Sequence, residues 1–449
     1  MRLWWVAAFV LMKAGSVLAG GALDKAALRK TTREDLTPRY ERLVLPNGLT
    51  VLLSPDRTVP GVVIDQSFFA GALFEPAGKS GLAHLVEHLM SSGAGDADYE
   101  RMLTARGATG FNAFTSMDLM TFHVLVPPEE LPLALWVATD RLGTLAARVD
   151  DAELERNRRI IVEERAVRVD DVAYAAASQE LYGRMFPAPH PLHGMVIGVP
   201  SELCSATVSD VRAFADRYLV PANGILTVTG NFDPAVAREW LDKTLGRLPG
   251  GVRASVPAPS GTRPPGITLS MAEPRSRRPR VTFAWRFGAL PIEVMDALEF
   301  GAQLLMIYTD GALGMQVRAG FEQFLGGSLF RFDVTMAHEK SKRDGRDEAE
   351  ALLRYLTRAT STDDVFSAAL LAWDRSVMRA LDDAAARSAM LTQLEYVAGD
   401  DATIARYNER HWALLPWDIA PRVRKVLDEG RFTLHSRPTS PRPQRAPRE

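Results

Sequence analysis

Cysteine is nearly absent from this chain. Cys204 stands alone among 449 residues, which excludes an intrachain disulfide and any metal site built on a set of thiolates. An excess of one charge is missing too: 53 Lys and Arg face 55 Asp and Glu, a net charge of -2. That balance provides no field for nucleic acid. Downstream of the first nineteen residues there is no apolar run long enough to cross a bilayer. What is present is ordinary for a globular protein, 47% hydrophobic and 24% charged residues, in a length that fits about two to four domains.

The first residues are read as a targeting segment. Arg2 precedes the apolar run Leu3 to Met12, and Val17-Leu18-Ala19 places small residues where a signal peptidase cuts. A signal peptide over 1–19, export to the periplasm and a mature chain without a membrane span are expected.

Histidine is scarce, with eight in the chain, yet two stand four apart in Gly81-Leu82-Ala83-His84-Leu85-Val86-Glu87-His88-Leu89-Met90. The stretch has no proline and predicts a helix. Residues four apart share a helix face, so His84 and His88 point the same way, with Glu87 on the flank. Two imidazoles one turn apart can clamp a zinc ion, and a nearby carboxylate can take a proton from water that the metal activates. H-x-x-E-H is the inverzincin signature. By chance it should arise on the order of once in a hundred chains this poor in histidine, so buried core histidines are the weaker reading.

Strand and helix patterns interleave along the whole chain, which predicts an α+β layered architecture. Leu43 to Leu53 reads as two strands around a Pro-Asn-Gly turn, Val62 to Phe69 and Phe122 to Val126 as strands, Leu131 to Leu145 as a helix, 151–185 as one long helical stretch, and Ile225 to Gly230 as a buried strand. Proline and glycine crowd residues 251–265, an expected linker between a domain over 36–250 and another over 266–435. The tail 436–449 is rich in Pro and Arg, and disorder is expected there.

The two domains read as a duplication, each a mixed sheet with helices packed on it. Gly48-Leu49-Thr50 leads to a strand ending Phe69-Ala70-Gly71-Ala72-Leu73, and Gly266-Ile267-Thr268 leads to one ending Phe287-Gly288-Ala289-Leu290. A helix follows each. The second carries Phe300, Gly301, Gln303, Leu304 and Leu305 in place of the histidines and glutamate, so one zinc per chain is expected, in the first domain. A catalytic zinc needs a third protein ligand. By residue type alone, the charged run Glu155 to Arg165 reads as a solvated face.

Taken together, these motifs resemble the insulinase/pitrilysin family of zinc peptidases, which includes mitochondrial processing peptidase. The resemblance implies a glutamate ligand some seventy-odd residues after the second histidine. Glu164, in Ile160-Ile161-Val162-Glu163-Glu164, fills that place, with Glu163 the alternative. It implies Glu87 as general base. Asn112, Ala113, Phe114 and Thr115 become the edge strand that binds the substrate backbone, and Arg318 a donor to the substrate. Asn157 stands where the family often has a second, supporting glutamate, and Leu325 where it has a tyrosine. The implied function is an exported zinc endopeptidase acting on extended peptides, paired with a related non-catalytic subunit or a second copy of itself. The rival reading is a non-catalytic structural or chaperone-like subunit. His190 and His193, in a loop without an evident acidic partner, are read as surface residues, and Arg275, Arg277, Arg278 and Arg280 as a solvated strand end.

Overall fold

A computed structural model of the protein describes residues 39–92, 98–255, 266–309, 314–325, 327–336, 345–358, 363–398 and 409–439. The expected signal segment 1–19, linker residues 256–265 and tail residues 440–449 lie outside the described residues. The chain divides into two compact units, each built around one sheet.

The first unit begins with the hairpin of β1 (Glu41–Val44) and β2 (Thr50–Pro55), paired antiparallel. The Pro-Asn-Gly turn works because Gly48 takes the left-handed conformation (φ +87°), which costs glycine little. Strands β3 (Val62–Phe68), β4 (Thr109–Thr115), β5 (Met120–Val126) and β6 (Gly224–Gly230) complete a six-stranded mixed sheet in the order β1-β2-β6-β3-β5-β4. β4 is an edge strand.

Every residue of β3 is buried, yet its two faces differ. Val62 and Ile64 join the apolar core with Leu135, Leu226 and Val228. Asp65 and Ser67, alternating with them, face the other way into a polar seam. There Ser67 Oγ donates to Asp65 Oδ1 (2.8 Å) and shares a hydrogen bond with Thr121 Oγ1 (2.7 Å). Helix Ala384–Ala398 from the far end of the chain closes this seam. Thr392 Oγ1 contacts Thr227 Oγ1 (2.7 Å) and Asp65 Oδ1 (3.4 Å), and Thr229 Oγ1 donates to the Ala384 carbonyl (2.7 Å). Ion pairs pin the helix at both ends: Arg387 to Asp56 (2.7 Å) and Arg42, two-pronged, to Glu395 (2.9 Å each).

Burial pushes the Asp65 carboxyl up to about 6. A carboxyl whose folded pKa is raised stabilises the fold below its unfolded pKa, near 4, and loses that contribution as pH rises through the folded value. A shift of this size corresponds to about 3 kcal/mol. Asp65→Asn should therefore be more stable than wild type in urea unfolding at pH 8, with the two curves meeting near pH 4. A pH-independent difference between them would contradict this account.

The second unit holds β7 (Ile267–Glu273), β8 (Arg280–Phe287), β9 (Met315–Phe324), β10 (Gly327–Met336) and β11 (Phe432–Pro438), in the order β7-β11-β8-β10-β9. Its core centres on Phe283, Trp285, Phe330 and Phe332. Each sheet has one parallel pair, β2 with β6 and β7 with β11, among antiparallel neighbours. Set β2, β6, β3, β5 and β4 against β7, β11, β8, β10 and β9, and order, direction and chain sequence all correspond. The two sheets thus share one topology, with a helix after the second strand of each: Leu82–Ser91 and Ile292–Tyr308. The halves also trade a segment. Helix Ala384–Ala398 belongs to the first unit, and helix Ala175–Met185 belongs to the second.

Two sequence expectations need correction. The helical stretch 151–185 is broken: helix Asp151–Arg165 runs into a π-helical turn, Ala166–Asp170, and a new helix starts at Ala175. No glycine or proline marks the break; Tyr174 makes it by adopting φ +66°. The second domain, expected to end at 435, extends further, because β11 pairs with β7 as far as Pro438. Residues 436–438 are strand, held by main-chain bonds that composition does not reveal.

Candidate functional site

The motif helix, Leu82–Ser91, is apolar nearly all round, with Leu82, Ala83, Leu85, Val86, Leu89 and Met90 all buried. Such a helix belongs inside a protein. Its ends carry unpaired backbone groups that must be met there. At the N-terminus the buried Glu75 carboxylate accepts from the amides of Gly81 (3.0 Å) and Ala83 (2.9 Å), and Glu202 accepts from that of Ser80 (2.9 Å). Burial raises the Glu75 carboxyl well above the usual range, against those bonds. At the C-terminus Arg141 Nε donates to the Met90 carbonyl (3.2 Å), while Arg148 donates to the carbonyls of Leu89 and Ser92. Burial brings the Arg141 guanidinium down to about 10, and it lies 4.4 Å from the centre of the Phe122 ring. Acids at the start and bases at the end both oppose the helix dipole. Gly81 has φ +93°, and a Cβ there would press within 3.1 Å of the Gly198 backbone. Glycine is required for the helix to enter at this point.

His84 and His88 project from this helix, with Nε2 atoms 3.3 Å apart. Two imidazoles holding one tetrahedral zinc at about 2.0–2.1 Å place their nitrogens about 3.3–3.4 Å apart, so the pair is spaced as zinc requires. Glu164, on the last turn of helix Asp151–Arg165, completes the set. One ligand atom each from His84, His88 and Glu164 lie within 4.8 Å of one another. Two nitrogens and a carboxylate oxygen form the donor set of a catalytic zinc site. Glu164 also forms an ion pair with Arg168, one turn on. The neighbouring Glu163 is exposed.

Glu87 is buried, and its Oε2 accepts a hydrogen bond of 2.7 Å from Thr115 Oγ1. Thr115 is the last residue of β4, so the edge strand ends against the carboxylate. The reading of Thr115 as a backbone-binding residue misses this bond, although alternation along 112–115 puts Thr115 and Ala113 on one face. A hydrogen bond to a charged group contributes about 1.5–3 kcal/mol. If Glu87 is the base, Thr115→Val should lower kcat roughly 10-fold or more with little change in KM, and Thr115→Ser should retain the wild-type rate. A rise in KM at constant kcat would assign Thr115 to substrate alone.

The other expected site residues fall as follows. Asn112, Ala113 and Phe114 lie on β4, where Asn112 is exposed and opposite His123. Burial lowers the pKa of His123. Asn157 is buried, and its amide donates to the Glu153 carbonyl (2.9 Å), within its own helix. Arg318 is exposed on β9, an edge strand of the second unit, and Leu325 follows that strand. Two readings are corrected. His193 does have an acidic partner, Glu202 Oε1 at 3.0 Å, nine residues away on a short helix that the loop folds back on. The arginine cluster is not all solvated: Arg280 lies 3.5 Å from the centre of the Tyr174 ring, while Arg275 stays exposed in a surface pair with Asp171 (3.4 Å).

The family description Insulinase (Peptidase family M16) matches residues 51–186, and Peptidase M16 inactive domain matches residues 205–367. The chain belongs to the insulinase family. Zinc protease PqqE of Helicobacter pylori is 28% identical over 229 residues, 49% of this chain and 50% of that protein. The chain spans about half the length of the curated relatives it matches. Among solved structures, a protease from Helicobacter pylori superimposes with a TM-score of 0.81 at 20% identity, over 89% of this chain and all of that one. The periplasmic protease PqqL from Escherichia coli gives 0.69 at 18% identity, over 88% of this chain and 47% of that one. At these identities the structural likeness shows the fold: the two-sheet architecture of the insulinase family. Among the described residues, no helix is long and apolar enough to cross a membrane.

Proposed function

We propose that this insulinase-family chain is an exported zinc endopeptidase. The observation that carries the reading is the convergence of His84, His88 and Glu164 beside a buried Glu87 tied to an edge strand. These three ligands would hold zinc, whose Lewis acidity polarises a carbonyl and makes water a nucleophile at neutral pH. Glu87 takes the proton of the attacking water and returns it to the leaving amine nitrogen. Thr115 holds one oxygen of Glu87 in place. The substrate adds as a strand to the open edge of β4, main chain to main chain, beside Asn112 to Thr115. Recognition of this kind reads the backbone more than side chains, so extended peptides of varied sequence are the substrate class.

The names of relatives support protease chemistry, and a periplasmic structural neighbour fits the leader-like segment at residues 1–19. The proposed partner is a related subunit without metal, which would supply a donor where Leu325 replaces the family's tyrosine. A homodimer is the alternative. The test is hydrolysis of a mixed peptide library by the purified chain, with and without chelator, alone and with a metal-free homologue. Chelator-sensitive cleavage supports the peptidase. Zinc-replete protein that cleaves nothing in any mixture favours the non-catalytic subunit.

A further inference from the structure

We propose that Tyr174 is a positioning residue that fixes Glu164 for metal binding, a reading that rests on His84, His88 and Glu164 being the metal set. Glu164 lies in a segment whose side chains stay largely outside the core. Ile161 is buried, and the next buried side chain along the chain is that of Tyr174. Everything between them is half-buried or exposed, with Val167 at 70% exposure. A carboxylate ligand on such a span is only as well placed as the two ends that anchor it.

Tyr174 is anchored through three chemical groups. Its amide donates to Glu273 Oε2 (2.7 Å). Its phenol donates to the Arg278 carbonyl and shares a hydrogen bond with the Ser276 hydroxyl, both at 2.6 Å. Its ring carries the Arg280 guanidinium, 3.5 Å from the ring centre. All these partners lie at the end of β7, in the turn after it or at the start of β8, in the second unit, to which Tyr174 also belongs. A glycine is the usual residue for φ +66° after a helical segment. A bulky residue in that conformation is an outlier, and outliers persist where the surroundings over-determine them. Here the aromatic ring and hydroxyl do what glycine could not: they dock.

The connection from Tyr174 back to Glu164 is short and hydrogen-bonded along its length. It contains no glycine or proline, and its turns are bonded in series: Asp171 N–H to the Ala166 carbonyl (2.9 Å), Val172 to Val169 (3.2 Å) and Ala175 to Val172 (3.2 Å). Ion pairs between Arg165 and Asp170 and between Arg168 and Glu164 brace the π-turn. Such turns often accompany functional sites. On this proposal a displacement of Tyr174 passes along these bonded turns to Glu164.

The experiment measures zinc affinity of the full chain by competition with a chromophoric chelator, together with the unfolding midpoint of the metal-free protein. Tyr174→Phe removes only the hydroxyl, and Glu273→Ala removes the carboxylate that receives the Tyr174 amide. Each should weaken zinc binding about 10-fold, as loss of a ligand's outer support does. In a Glu164→Asp background, which keeps a carboxylate ligand and so a measurable affinity but withdraws it from its fixed place, each should change it less than about 2-fold, because the two changes act through one contact. Unchanged affinity in both variants overturns the proposal. So does an equal loss in the Glu164 and Glu164→Asp backgrounds, since the latch would then serve the fold as a whole. If Glu164→Ala alone leaves zinc binding intact, the metal set itself is wrong, and the proposal fails with it.

Discussion

Glu87→Gln should leave the protein folded and zinc-loaded while peptide hydrolysis falls by at least about 10²–10⁴-fold, the usual contribution of a general base. The substitution keeps side-chain volume and one oxygen, so the Thr115 hydroxyl (2.7 Å from Glu87 Oε2) still has an acceptor. It removes the group that accepts and returns the proton. Neither imidazole is touched, and Glu164 reaches the cluster from a different helix. Zinc content by atomic absorption should remain at one per chain. Peptide cleavage by the variant at the wild-type rate would mean that another residue moves the proton.

Loss of a ligand should behave in the opposite way. His88→Ala or Glu164→Ala leaves only two donors, and zinc should no longer survive dialysis against a weak chelator. A ligand that binds only the folded state stabilises it by RT ln(1 + [L]/Kd), about 4 kcal/mol at a thousand times Kd. Added zinc should therefore raise the unfolding midpoint of the wild type and leave those of His88→Ala and Glu164→Ala where they were. The Glu87→Gln midpoint should still respond to zinc, which separates the base from the ligands in one measurement. A zinc-dependent rise that persists in His88→Ala would place the ion elsewhere.

The local pattern of the chain determined more of this protein than its low histidine content suggests. The four-residue spacing of His84 and His88 is itself the geometry of one helix face, and it is what allows their Nε2 atoms to come within 3.3 Å. Short runs of strand-forming residues marked β3 and β5, and the repeated strand-turn-strand pattern anticipated two sheets of one topology. Such features are legible because i to i+2 and i to i+4 relations are built into strands and helices. Glu164 was reached only through resemblance to a family; nothing in the charged run 155–165 distinguishes it from Glu163.

The tertiary structure decided the rest. Glu202 at one end of the motif helix, and Arg141 and Arg148 of a single later helix at the other, come from parts of the chain more than fifty residues away. Each satisfies a backbone group that only burial leaves in need of a partner. Helix Ala384–Ala398 joins the first sheet through Thr392 and paired charges, contacts between residues more than 150 positions apart that no local period encodes. The break at Tyr174 was invisible for the complementary reason. A left-handed residue is normally announced by glycine, and here the cost of the conformation is offset by a docking site for the tyrosine, which the fold supplies and the local sequence does not.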